Sequence, residues 1–226
     1  MNRLQIEKLK DILSTASDDI GITLTSREID LLVEYYKELL IWNEKMSLVS
    51  IKSPLDIPKH FIDSLTVTKF IKDGDLKLLD IGTGAGLPGI PLKIKMESLR
   101  VTLLDSSRKK TSFLKNVIRK LDLGDVSVVN GRAESLIDEK GYKGVFDIVI
   151  SRAAFKISHF LILGEPFLSD GGTLIAMKGG NADDELERAA DIIRKTGLEL
   201  TCAYEIKLPV TGESRKILTT VPRLIE

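Results

Sequence analysis

Apolar and polar positions follow one period up to about residue 72 and another beyond it. In the first part, Leu31, Leu32, Tyr35, Leu39 and Trp42 recur at the spacing that gathers them on one side of a helix. Thr25-Ser26-Arg27-Glu28 precedes that stripe and fits a capping box, with Thr25 closing the helix start and Glu28 reaching back. Ser53-Pro54 predicts another start, because proline at the first helical position loses a donor that has no partner there. Ile57, Phe61, Leu65 and Phe70 continue as its apolar face, and a weaker helix is expected over Arg3 to Leu13. Residues 1–72 therefore read as a helical cap, joined to the rest at Lys72-Asp73-Gly74-Asp75.

From residue 76 short apolar runs alternate with amphipathic ones. Strands are predicted at Leu76–Ile81, Arg100–Asp105, Val126–Val129, Phe146–Ile150 and Gly172–Met177. Helices are predicted over Leu87–Lys95, Ser107–Leu121 and Asp183–Lys195, and a hairpin-like pair near Leu200–Ile206 and Ile217–Val221. Such alternation specifies an α/β domain over residues 73–226: a mostly parallel, Rossmann-like sheet with helices on both faces, compact with its cap.

The chain has 226 residues, 43% hydrophobic and 29% charged, the balance of a folded globular domain rather than a disordered chain. No apolar run reaches the roughly 18 residues of a membrane span. Met1 to Lys8 lack the apolar core of a secretion signal. Cys202 is the single cysteine, so no disulfide can form within the chain and a cysteine metal site is not expected. These features lead us to expect a cytoplasmic protein, a monomer with neither membrane nor metal partner. Lysine plus arginine equals aspartate plus glutamate, 33 each, which argues against non-specific coating of nucleic acid. A local basic face on one structured RNA is still compatible with that neutrality.

The glycine-rich loop Asp80-Ile81-Gly82-Thr83-Gly84-Ala85-Gly86-Leu87-Pro88-Gly89 leaves the first strand and enters a helix. Ligands of open parallel sheets bind at that end of the strands. Two frames fit it. Gly84, Gly86 and Gly89 match the dinucleotide pattern G-x-G-x-x-G, which would make the protein an NAD-dependent oxidoreductase. Asp80, Gly82, Gly84 and Gly86 match D-x-G-x-G-x-G, and an acid entering the loop suits a ligand with a cationic amino-acid tail better than a pyrophosphate. Asp105 ends the second strand, where a carboxylate can accept both ribose hydroxyls of an adenosine. Both frames predict it, and a helix-capping aspartate is the plainer alternative. A binding module that keeps the fold without turnover is a third possibility.

The second frame resembles the class I methyltransferases that use S-adenosylmethionine. Within that class the chain resembles the bacterial guanine-N7 methyltransferase of small-subunit ribosomal RNA, the glucose-inhibited division protein B family, over nearly its whole length. The resemblance rests on Trp42-Asn43-Glu44-Lys45, His60-Phe61-Ile62-Asp63-Ser64-Leu65 and the loop from Asp80 through Leu87-Pro88-Gly89-Ile90-Pro91. It continues in Leu103-Leu104-Asp105-Ser106, Ile150-Ser151-Arg152-Ala153 and Met177-Lys178-Gly179. The chain departs from the family at Ser47, where asparagine is usual, and at Ala154, which separates Ala153 from Phe155. The resemblance implies S-adenosylmethionine as cofactor and 16S ribosomal RNA or the small ribosomal subunit as partner. It also implies cofactor contacts from Gly82 and Leu87, from Ala133 and Glu134 after the third strand, and from Arg152 after the fourth.

Guanine N7 carries a lone pair and no proton, so the implied reaction needs no general base, and the residues suggest no catalytic acid or base. His60, beside Phe61 on the cap, is a candidate for the substrate mouth or a partly buried helix histidine. Arg108-Lys109-Lys110, with Lys115, Arg119 and Lys120, makes one helix basic, a solvated face or a contact for an RNA backbone. Lys178 and Arg215, near strand ends, are further candidates for RNA. Trp42, by its spacing, belongs to the core.

Overall fold

The computed structural model describes residues 2–180 and 182–222. Three helices come first: α1 (Arg3–Asp19), α2 (Ser26–Asn43) and α3 (Asp56–Leu65). The capping box on α2 is present in both directions, Glu28 N–H donating to Thr25 Oγ1 at 3.2 Å and Thr25 N–H to Glu28 Oε2 at 2.7 Å. Asn2 and Gln5 form a second one, and α1 runs past Leu13 to Asp19. The predicted start at Ser53-Pro54 is corrected. The Asp56 carboxylate accepts the N–H groups of Lys52 and Ser53 at 2.6 and 2.7 Å, which folds this stretch into a turn and leaves Pro54 outside α3.

The remainder alternates β1 (Lys77–Ile81), α4 (Gly89–Lys95), β2 (Arg100–Asp105), α5 (Arg108–Lys120), β3 (Val126–Asn130), α6 (Ala133–Leu136), β4 (Phe146–Arg152), α7 (Ile157–Gly164), β5 (Leu168–Gly179), α8 (Asp183–Lys195), β6 (Leu198–Lys207) and β7 (Ser214–Pro222). The strands form one sheet in the order β3-β2-β1-β4-β5-β7-β6. The first five are parallel, and β7 inserts antiparallel between β5 and β6. The expected terminal pair is thus the edge of the same sheet.

Helix α7 is not predicted by periodicity. Its sequence, Ile-Ser-His-Phe-Leu-Ile-Leu-Gly, is apolar almost all round, so no stripe of helical period marks it.

Successive residues of a strand point to opposite faces, and each face has its own core. Leu78 of β1, Ile148 and Ile150 of β4 and Ile217 of β7 meet α1 to α5 through Leu13, Leu32, Tyr35, Phe61, Ile90 and Phe113. Leu79, Ile81, Val149, Leu174 and Leu218 meet α6 to α8 through Leu136, Phe160 and Ala189. The amino-terminal helices therefore share one core with the sheet. Trp42 is half-buried, its ring edge-on to Phe113 at 5.7 Å between centroids.

Candidate active site

Alternation along β1 sends Asp80 to the face covered by α1–α5, where it is fully buried beneath the glycine loop. Its Oδ2 accepts the Thr83 hydroxyl at 2.6 Å and the Gly89 N–H at 2.9 Å. Asp80 thus braces the loop from below with Oδ2, while its Oδ1 is buried without a partner among the described residues. Burial pushes its pKa up to about 6, against the pull of the bonds from Thr83 and Gly89 and of the nearby Arg152 guanidinium.

Each glycine has a different reason to be there. Gly82 has φ +70°, and a Cβ on it would lie 3.0 Å from Ala154 Cβ and 3.2 Å from the Phe155 ring. Gly84 has φ +61° with open space around it, and its N–H donates to Asp105 Oδ2 at 2.9 Å. Gly86 and Gly89 press on the core instead: added Cβ atoms would fall 2.4 Å from Ile90 Cδ1 and 2.4 Å from Leu103 Cδ2. Leu87 is buried among core side chains of that face. The resemblance implied that it touches the cofactor, but its side chain lines no part of the cavity.

The cavity, of about 500 Å³, opens at the carboxyl ends of β1, β2, β3 and β4. Of the implied cofactor residues, Gly82, Asp105, Ala133 and Glu134 line it, with Phe155 over Gly82 and Lys110 at the rim. A similar cavity of about 550 Å³ between Thr25, Lys93 and Gly124 lies at the other end, before β2 and β3 begin. It is therefore remote from the loop, and the carboxyl-end cavity is the one that the sheet's topology favours.

Asp105 is buried, its Oδ2 taking Gly84 N–H and its Oδ1 taking Ser107 N–H at 2.8 Å. A carboxylate has about four acceptor sites, so both oxygens keep capacity toward ribose hydroxyls. The glycine backbone at Gly82, the acceptor at Asp105 and the cavity volume together fit an adenosine-containing ligand with a short tail.

Arg152, the last residue of β4, reaches the amino-terminal helices with its Nη1. Its Nη1 lies 3.1 Å from His60 Nδ1 and 3.2 Å from Asp63 Oδ2. Arg215, at the start of β7, donates its Nε to the same Asp63 oxygen at 3.1 Å and its Nη2 to Glu213 at 2.8 Å. Arg152, expected at the cofactor, and His60 and Arg215, expected toward RNA, thus form one cluster around Asp63. Burial, reinforced by Arg152, lowers the His60 pKa to about 3, so the ring is neutral at neutral pH.

Lys178 is likewise engaged, donating to the Phe155 carbonyl at 2.6 Å and pairing with Glu185 at 3.0 Å. These contacts hold the segment after β4, where Ala153 takes a φ of +54°. Arg108 and Lys109 are exposed at the cavity end of α5 and make no ion pair among the described residues.

Phe155 and Asp63 are site residues that sequence reasoning missed. The available signals were an aromatic just beyond a strand end and a carboxylate inside the otherwise apolar run Phe61-Ile62-Asp63-Ser64-Leu65.

A sheet of this order, with β7 antiparallel and the glycine loop after β1, defines a class I methyltransferase that uses S-adenosylmethionine. The NAD frame fails on the same ground, since dinucleotide folds carry the order 3-2-1-4-5-6, and Gly86, which in that frame would let the backbone approach the pyrophosphate, presses on Ile90 and Leu114 instead. Solved structures share the fold: a methyltransferase from Pyrococcus furiosus at TM-score 0.60 and 17% identity, covering 84% of this chain and 96% of that one. The M. jannaschii TYW2 structure in complex with AdoMet is similar at TM-score 0.58 and 20% identity, covering 77% of this chain and 79% of that one.

The family model for rRNA small subunit methyltransferase G (GidB) matches residues 28–210, and the chain belongs to that family. Ribosomal RNA small subunit methyltransferase G of Syntrophus aciditrophicus is 44% identical over 209 residues, covering 92% of this chain and 87% of the relative. The protein of the same name from Geotalea uraniireducens is 39% identical over 213 residues, covering 94% and 96%.

Proposed function

We propose that this chain methylates N7 of a guanine in 16S ribosomal RNA, with S-adenosylmethionine as methyl donor. The observation that carries the donor is the cavity over Gly82, with Asp105, Ala133 and Glu134 on its wall. Family membership carries the acceptor.

Gly82, Asp105, Ala133 and Glu134 would hold the adenosine half, and Arg152 at the end of β4 would hold the amino-acid tail. Bound there, S-adenosylmethionine supplies an electrophilic sulfonium methyl group. Guanine N7 has a free lone pair, so the chain need not remove a proton, and its part is to hold donor and acceptor in line and exclude water. The Asp63–Arg152–His60 contacts, bonded and partly buried, suit holding rather than proton transfer.

Of the cationic residues considered for RNA, Arg108 and Lys109 are the ones supported by their exposure, whereas His60, Lys178 and Arg215 are held by protein partners. Among the described residues no helix is long and apolar enough to cross a membrane, and no cluster of potential metal ligands occurs. An enzyme acting in the cytoplasm on ribosomal RNA or on the small subunit is the reading that family membership supports.

The test is a transfer assay with radiolabelled S-adenosylmethionine and small subunits, or RNA extracted from them, from cells that lack the enzyme. Label recovered as N7-methylguanine supports the proposal. Label absent from guanine, alongside protection from unfolding by NAD and none by S-adenosylhomocysteine, refutes it.

A further inference from the structure

We propose that Asp63 is a positioning residue for the methyl donor: it fixes the Arg152 guanidinium so that its remaining donors receive the carboxylate of the donor's amino-acid tail. This inference rests on the methyl-donor reading above.

The two oxygens of Asp63 are used unequally. The side chain is buried, at 2% exposure, and its Oδ2 accepts from both Arg152 and Arg215 while its Oδ1 is buried with no partner. A bare buried acceptor is costly, so the cations on Oδ2 are what hold this carboxylate in the interior. This one is compensated by the two cations alone.

Those cations are not equivalent. Arg215 is used up: Nε on Asp63, Nη1 on the Ser214 carbonyl and Nη2 on Glu213. Arg152 spends only Nη1, on His60 Nδ1 and Asp63, and its Nε and Nη2 have no partner among the described residues. A guanidinium is a rigid fork with five N–H donors, so anchoring one nitrogen orients the rest.

The anchored fork also stands in the right place. Asp80 pairs in register with Ile150, and the next residue of β4, Ser151, donates its hydroxyl to the Ile81 carbonyl at 2.9 Å. By that register Arg152 ends its strand level with Gly82, and Gly82, Ala154 and Phe155 line the cavity next to it. On the opposite wall the rim cation Lys110 lies 3.8 Å from Asp105, on the ribose side. The tail side is left to Arg152. Arg215 acts as a buttress that keeps Asp63 in place.

Calorimetric titration of the full chain with S-adenosylhomocysteine and with 5′-methylthioadenosine, which lacks the amino-acid tail, separates the alternatives. Asp63→Asn is expected to weaken S-adenosylhomocysteine by about tenfold or more, and to leave methylthioadenosine unchanged. In a double-mutant cycle, Asp63→Asn should add little to the loss caused by Arg152→Ala, because both remove the same contact. Should Asp63→Asn not fold, Asp63→Glu, which keeps the charge but displaces it, carries the same tail-selective expectation at smaller size. Equal losses for both ligands, or additive losses in the cycle, overturn the role of Asp63 alone. Failure of the unaltered protein to bind either ligand overturns the methyl-donor reading itself.

Discussion

The Tyr35 hydroxyl donates a hydrogen bond to the carbonyl oxygen of Ala85, tying a helix of the first 72 residues to the middle of the glycine loop. Both residues are buried, Tyr35 completely, with its ring stacked on Phe61 at 5.0 Å between centroids. Burial raises the phenol's pKa well above its ordinary value, so the hydroxyl keeps its proton at neutral pH. The amino-terminal helices thus shape the loop as well as cover it.

Tyr35→Phe keeps the packing and strands the Ala85 carbonyl. A loss of about 1–3 kcal/mol in chemical denaturation is expected, with weaker binding of S-adenosylhomocysteine because the loop loses its tether. Unchanged stability and affinity would show that the bond is dispensable.

The loop glycines should separate by cause. Gly89→Ala drives a Cβ against Leu103 Cδ2 at 2.4 Å and Asp80 Oδ2 at 3.0 Å, an overpacking worth about 1–3 kcal/mol. Gly84→Ala meets nothing closer than 3.9 Å, and only the strain of its positive φ opposes it, about 1–2 kcal/mol. Thermal unfolding should therefore place Gly89→Ala at or below Gly84→Ala. The reverse order would contradict these roles for the two glycines.

Stability should carry the signature of Asp80. Its folded pKa of about 6 lies above the ordinary 3.8, so the folded state holds this proton more tightly than the unfolded chain does. Below pH 3.8 the group costs nothing; between 3.8 and 6 stability falls as pH rises; above 6 the full cost, on the order of 3 kcal/mol, stays. Asp80→Asn can still accept from Thr83 or Gly89 and removes that dependence, so it should gain on the unaltered protein across this window. His60 acts with opposite sign, since its lowered pKa of about 3 takes stability away as pH falls below 6.5. Denaturation midpoints of Asp80→Asn and His60→Gln from about pH 4 to 7 resolve the two.

RNA binding and cofactor binding should come apart at the surface. Arg108→Glu with Lys109→Glu changes exposed, unpaired cations, and is expected to weaken RNA while leaving the affinity for S-adenosylhomocysteine intact. The slope of log affinity against log salt should fall by about one for each phosphate that the variant no longer neutralises. Lys178→Ala should do the converse, loosening the Phe155 segment and weakening the cofactor first.

Hydrophobic period alone places α2, α5, α8 and the seven strands, because each is amphipathic or bounded by turn residues. The same sequence carries the loop and Asp105, since positive φ and close backbone approach leave glycine little substitute. It does not carry α7, whose apolar residues have no polar face to set a period, nor the antiparallel place of β7 between β5 and β6. Above all it cannot say which way a side chain at a strand end turns. Alternation and packing sent Asp80 under the loop and Leu87 into the core, and gathered His60, Asp63, Arg152 and Arg215 into one cluster. Residues 63 and 215 meet only because the sheet brings β7 back beside β5 beneath α3, a contact that no local pattern encodes. Sequence determined the kind of site and its backbone cradle; tertiary structure decided which charges it holds and what holds them.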